Sequence, residues 1–257
     1  MEPERNTRRN LEFIPGVPHP VEDPPQSTNG VNMEFSEAKR LLNPDPLPLE
    51  MGVERLPSGQ LHVAVRTYML GCTGEMFQWW FGSGPDARDY AWWHPVDHVG
   101  SEWLDLPDDG SGIGSTHVAD EKLADDVVHS LKIRFHHPVE IFGEDFATAK
   151  ARGDISAAVT ADIGLGAEPP RDQRGRPIGG KLVHLGRDTP FGLVLRSNFW
   201  LGHGLPLSPE ELEKEMPMQM GLNLMKHSYQ EWFYLMRFLP AVAIADRRDE
   251  KPAPVAW

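Results

Sequence analysis

Cysteine is nearly absent from this chain: its 257 residues contain one, Cys72. A lone thiol excludes an intrachain disulfide and fits a reducing, cytoplasmic compartment. No motif surrounds it, so it reads as a packed small residue rather than a nucleophile. Long apolar runs are missing as well. The longest late one, 232–245, is broken by Arg237 and Pro240, which excludes it as a membrane span. The charged N-terminus, MEPERNTRRN, lacks the apolar stretch of a signal peptide. Positive charge is scarce: 25 Lys and Arg face 38 Asp and Glu, a net charge of −13. That balance argues against nucleic acid or an anionic membrane as partner and is read as solubility. There is no internal repeat. The GSGIG stretch at 110–114 echoes a dinucleotide fingerprint, but no helix follows it and no second motif supports it.

The remainder is ordinary for a soluble globular protein, 40% hydrophobic and 25% charged, with length enough for one generous domain. Residues 1–30 are proline-rich with few large apolar side chains and read as an extended arm. SEAKRLL, 36–42, is expected to form a short helix capped by Ser36 and ended by NPDPLPLE. The stretch 59–70 reads as a strand, and 82–95 as a turn into a short helix that ends at Pro95. In 127–138, Leu131, Ile133 and Phe135 alternate with Lys132 and Arg134, a strand pattern. AAVTADIGL, LVHLG and 191–202 are further strands, and the polar segment 168–181 a mobile loop. Domain limits follow: an N-terminal arm and short helix over 1–58, a core domain over 59–245 and a tail over 246–257.

SPEELEKEM opens the last major element with an N-cap serine, a proline and acids, and Pro217 is expected to kink or split it. Beyond it, Met220, Leu224, His227, Glu231, Leu235 and Phe238 recur every 3.6 residues on average, one stripe of a helix reaching about Leu239. Strands followed by a long C-terminal helix predict an α+β fold of the helix-grip kind, a curved antiparallel sheet gripping that helix. His227 and Glu231 would then face a cavity between sheet and helix.

A histidine and a carboxylate at i and i+4 can reach one metal ion, and a buried carboxylate needs a partner of that kind. WWHPVDHVG offers His94, Asp97 and His98 beside aromatic residues, with His94 at a helix end the favoured ligand. STHVADEKLADD offers His117, Asp120, Glu121, Asp125 and Asp126. His184, on a strand, is a candidate acid, base or substrate ligand.

MFQWWF (76–81), WWHPVDH (92–98), THVADE (116–121), VHLGRDTPFG (183–192), RSNFWLG (196–202) and HSYQE (227–231) follow one another in an order that resembles the diacetylphloroglucinol hydrolase family, which includes phloretin hydrolase. The resemblance covers residues 60–240. It implies a START-like helix-grip cavity, a homodimer and a zinc ion held by two histidines and two glutamates. It also implies hydrolysis of the carbon–carbon bond between an acyl group and a phenolic or enolic carbon, in an aryl ketone or β-diketone. Carried onto this chain, the ligands are His94, Glu121, His227 and Glu231, with Asp120 or Asp125 as alternatives to Glu121. His184 and Asp97 become the groups that move a proton. Tyr90, Trp80, Phe199 and Tyr229 become contacts to a small aromatic ketone. A metal-free carrier of hydrophobic molecules and a polyketide cyclase or hydratase are the rival readings of the same fold.

Overall fold

A computed structural model describes residues 32–247. The proline-rich arm before residue 32 and the tail after 247 lie outside the described residues. The chain runs through a 3₁₀ helix (Phe35–Leu42), β1 (Gly52–Arg55), β2 (Leu61–Leu70), α1 (Gly74–Ser83) and α2 (Ala87–Trp93). Four more elements bring it to mid-chain: β3 (His98–Leu104), β4 (Thr116–Lys122), β5 (Val128–His136) and α3 (Val139–Phe142). Then come α4 (Asp145–Arg152), β6 (Ala157–Leu165), β7 (Gly180–Thr189), β8 (Gly192–Leu201), α5 (Pro209–Glu215), α6 (Met218–Leu235) and α7 (Leu239–Arg247).

The class is α+β, as the sequence predicts. All eight strands form one sheet in the order β1-β2-β8-β7-β6-β5-β4-β3, and every neighbouring pair is antiparallel. Strands β3 to β8 are a simple meander. The α1–α2 segment carries the chain from β2 to the far edge, where β3 begins.

Local chemistry sets the helix ends. Thr73 accepts from the Met76 amide at the start of α1, and Asp86 accepts from the Arg88 and Asp89 amides at the start of α2. Ser208 and Glu211 form a capping box on α5, with proline in the first turn. Pro217 is the extended residue that separates α5 from α6, so the expected split occurs. The long helix stops at Leu235 rather than Leu239, and α7 continues after a short break. The N-terminal helix is capped by Glu34 paired with Glu37, not by Ser36.

The boundary at 58/59 does not match the packing. β1 is a strand of the sheet, and the 3₁₀ helix buries Ala38, Leu41 and Leu42 in a cluster with Leu56, Phe142 and Trp200. The segment 168–181 is tied down by turns and an Arg171–Pro177 bridge. The main core lies between the sheet and α1, α2 and α6, where Val63, Leu195, Phe77, Trp93, Leu224 and Trp232 meet. α6 lies against β1, β2 and α2. Its approach to the sheet is close at Gly221, where a Cβ would sit 2.5 Å from Val53 Cγ1 and 3.3 Å from Leu61 Cδ1. That contact sets how deep the following turns of α6 lie.

Candidate functional site

Three elements converge at one end of the core. On α6, His227 and Glu231 stand one turn apart and are both buried. On the sheet, His98 of β3 lies directly opposite Glu121 of β4, which puts their side chains side by side. From α2, Tyr90 reaches across to both strands. His98, His227 and Glu231 each bring a ligand atom within 4.8 Å of the others. Glu121 Oε2 lies 3.7 Å from His98 Nε2 and 3.7 Å from His227 Nε2.

Hydrogen bonds orient His98, His227 and Glu121. His98 Nδ1 lies 2.8 Å from the Tyr90 carbonyl, an acceptor, so Nδ1 carries the proton and Nε2 keeps its lone pair. That Nε2 is buried and has no hydrogen-bond partner. His227 Nδ1 donates to Asp97 Oδ2 at 3.1 Å, which turns its Nε2 toward Glu121. The Tyr90 hydroxyl donates to Glu121 Oε2 at 2.5 Å, and the Tyr90 ring stacks on His98 at 3.7 Å. Asp97 is held in turn by the Ala124 amide at 3.2 Å.

The protonation states follow from burial and neighbours. Burial and the nearby His227 and His94 hold His98 well below the usual histidine range, so it is neutral. Burial would also lower His227, but the Glu121, Asp97 and Glu231 carboxylates outweigh it and raise it to about 9. Burial lifts Glu231 to about 8; His227 opposes the shift and Glu121 adds to it. Without a cation, protons on His227 and Glu231 neutralise the cluster. Burial and Glu121 push the Tyr90 phenol well up, so it remains a donor.

Two imidazole nitrogens and two carboxylates converge here, with orienting partners in place for His98, His227 and Glu121. Such a donor set could hold a divalent metal ion. The Nε2 atoms of His98 and His94 are both buried without a hydrogen-bond partner; that of His98 also faces Glu121 and His227, and an unmet lone pair there is costly. A cation facing that lone pair removes the cost.

Beside the cluster opens a cavity of about 100 Å³. Phe81, Trp93, Leu131, Phe135, Phe199 and Trp232 supply its apolar walls; Tyr90, His117, Glu121, His129, His184, His227 and Glu231 its polar ones. His184 is buried, with Nδ1 2.8 Å from Ser197 Oγ, and burial drives it down to about 3.

The structure brings together Glu121, His227, Glu231, Tyr90, His184 and Phe199 of the residues singled out from sequence. Others fall elsewhere. His94 does not join Glu121 and Glu231: it caps the end of α2 and forms a group with Asp97 and the other face of His227, its Nε2 3.6 Å from Asp97 Oδ2. His98 occupies the place expected of His94. Asp97 stands behind His227 rather than in the cavity wall, so it positions an imidazole and does not face a substrate. Trp80 lines an outer groove with Trp79 and Trp92, and Tyr229 packs half-buried against the core; neither is among the residues lining the cavity. Cys72 is buried, and burial pushes its thiol up to about 12, which leaves no thiolate at neutral pH. Sequence alone ranks His94 above His98 and gives His117 no role, yet both His98 and His117 lie at this cluster and its cavity. The available signal was that His98 and Glu121 become cross-strand partners once 98–104 and 116–122 are recognised as strands.

Comparison with known proteins finds relatives of the whole domain. Two relatives named 2,4-diacetylphloroglucinol hydrolase, one from a Pseudomonas species and one from Pseudomonas protegens, are each 30% identical over 179 residues. The match covers 65% of this chain and 57% and 55% of theirs, so the chain aligns with little more than half of those relatives. Protein Ms6760 from Mycobacterium smegmatis superposes at a TM-score of 0.39 with 12% identity, over 70% of this chain and 94% of that one. The sequence profile described as the DAPG hydrolase PhiG domain matches residues 33–242, and on that extent of agreement the chain belongs to the DAPG hydrolase family.

Proposed function

We propose that this protein is a metal-dependent hydrolase that cleaves the bond between an acyl carbonyl and a ring carbon of an acylphloroglucinol-type ketone. The observation that carries the reading is the buried, partnerless Nε2 of His98 turned toward Glu121, beside His227 and Glu231 at the edge of an aromatic cavity. Relatives named for hydrolysis of such a compound support the substrate class. His98, Glu121, His227 and Glu231 would hold the ion, and the nitrogen and carboxylate donors suit zinc. A zinc ion there supplies Lewis acidity, polarising a carbonyl and lowering the pKa of water.

The rest of the chemistry belongs to the chain's own groups. Water adds its oxygen to the acyl carbon. The ring–acyl bond then breaks, leaving its electron pair on the ring carbon, where the flanking hydroxyls spread the charge as a phenol–enol system does. That carbon takes a proton, and the products are a carboxylic acid and the deacylated phenol.

His184 would carry the proton. It lines the cavity, and Ser197 can donate to or accept from its Nδ1, so Nε2 can be lone pair or N–H in turn. A pKa near 3 keeps the ring neutral at pH 7, which suits a relay that switches tautomer rather than one that stores charge. Phe81, Phe199 and Trp232 hold the flat ring and exclude water from it.

The test is acid release from 2,4-diacetylphloroglucinol. The metal-loaded protein should release acetic acid, and Glu231→Gln and His227→Ala should each lower kcat/KM by more than 100-fold. A carrier would release none and would tolerate Glu231→Gln; metal without acid release would favour a cyclase.

A further inference from the structure

A second histidine backed by a serine lines the same cavity on the opposite arm of the sheet, and the proposed reaction does not use it. His117 is buried on β4, its Nε2 2.8 Å from Ser101 Oγ on β3. Its ring is clamped between Trp103, stacked at 4.5 Å, and the edge of Tyr90 at 5.0 Å. The pairing repeats that of His184 with Ser197, on β7 and β8. Both histidines line the cavity, and burial drives both down to about 3, so both are neutral. With Nε2 occupied by Ser101, Nδ1 is the nitrogen left for a ligand. His117 is a polar group on a stretch of wall shared with the apolar Leu131, Ile133 and Phe135 of the neighbouring strand.

Position indicates what it would meet. His117 and Glu121 lie on one face of β4, four residues apart, with Ala119 between them. Four residues of strand are about 13 Å. That is the length of one aromatic ring and its substituents, bound at one end through a metal contact and at the other through a hydrogen bond. With the acyl carbonyl beside Glu121, the part of the substrate that reaches toward His117 is the far edge of the ring.

We infer that His117, held by Ser101, is a specificity residue that hydrogen-bonds the ring hydroxyl para to the acyl group under attack. This rests on the substrate class proposed above. In an acylphloroglucinol the 1,3,5 pattern always puts a hydroxyl at that para position, so the contact selects for the class. Ser101 can donate or accept, which lets Nδ1 accept from a phenol or donate to its keto tautomer. A site built to bond a hydroxyl rejects the analogue without it far more strongly than an apolar wall does.

The experiment compares 2,4,6-trihydroxyacetophenone with 2,6-dihydroxyacetophenone, which lacks the para hydroxyl. Binding is read by tryptophan fluorescence and turnover by acetate release, in the metal-loaded wild type, His117→Phe, His117→Asn and Ser101→Ala. The wild type should prefer the trihydroxy compound by 10-fold or more in Kd and in kcat/KM. His117→Phe should lose that preference while keeping its affinity for the dihydroxy compound; His117→Asn should recover part of it, and Ser101→Ala should fall between. The inference is overturned if the wild type shows no preference, if the preference survives His117→Phe, or if both compounds weaken equally. Preferential binding without acetate release would support the role of His117 and count against the hydrolase reading alone.

Discussion

Asp97 illustrates how much of this site is set one bond away from the ligands. A carboxylate among aromatics beside a histidine looks like an acid or base. Its contacts say otherwise: Oδ2 accepts from His227 Nδ1 at 3.1 Å and from the Ala124 amide at 3.2 Å, and the side chain is buried behind the imidazole. It fixes which nitrogen of His227 faces the cluster and makes that nitrogen a better donor. Asp97→Asn keeps the shape but removes the charge. It should weaken metal affinity about 10–100-fold, measured by competition against a chromophoric chelator, with a smaller change in KM. An unchanged affinity would mean that His227 needs no such support.

At the scale of elements, α6 brings His227 and Glu231 to the cluster together because they are four residues apart on one helix, and its depth depends on Gly221 against Val53 and Leu61. A larger side chain there must push the helix off the sheet. Gly221→Leu should cost about 1–3 kcal/mol of stability, read by urea unfolding, and should also weaken metal binding though residue 221 touches no ligand. The α6 stripe was legible in sequence because its period is 3.6 and only two of its members are polar. The strands of the other half were not. β4 turns His117, Ala119 and Glu121 inward and Thr116, Val118, Asp120 and Lys122 outward, so both faces carry polar residues and the usual apolar–polar alternation is absent. β3 is an edge strand with Val99 exposed and a bulge between His98 and Gly100. With neither strand recognised, the His98–Glu121 register could not be read, and His94, the neighbour at the helix end, looked the better ligand.

Over the whole molecule the site is a reservoir of buried charge whose sign depends on pH. In the metal-free protein His227 has a folded pKa of about 9 against an ordinary 6.5, and Glu231 about 8 against 4.5. Both are raised, so each contributes stability that is full below its unfolded value and lost as pH rises through its folded one. His117 and His184, depressed to about 3, contribute stability that is full above pH 6.5 and lost as pH falls toward 3. The Tm of metal-stripped protein should therefore decline between pH 7 and 9 and again in acid. Zinc takes the place of the protons, so reloading should flatten the alkaline decline and leave the acid one. Parallel alkaline declines with and without zinc would count against the cluster as its source.

The central claim is that His98, with Glu121, His227 and Glu231, holds a metal ion. Elemental analysis of protein purified without chelator, wild type beside His98→Ala and His94→Ala, tests it most directly. About one zinc per chain is expected in the wild type and in His94→Ala, and loss of most of it in His98→Ala. A wild type that carries little metal and cannot be reloaded, or a His98→Ala variant that retains it in full, would contradict the account.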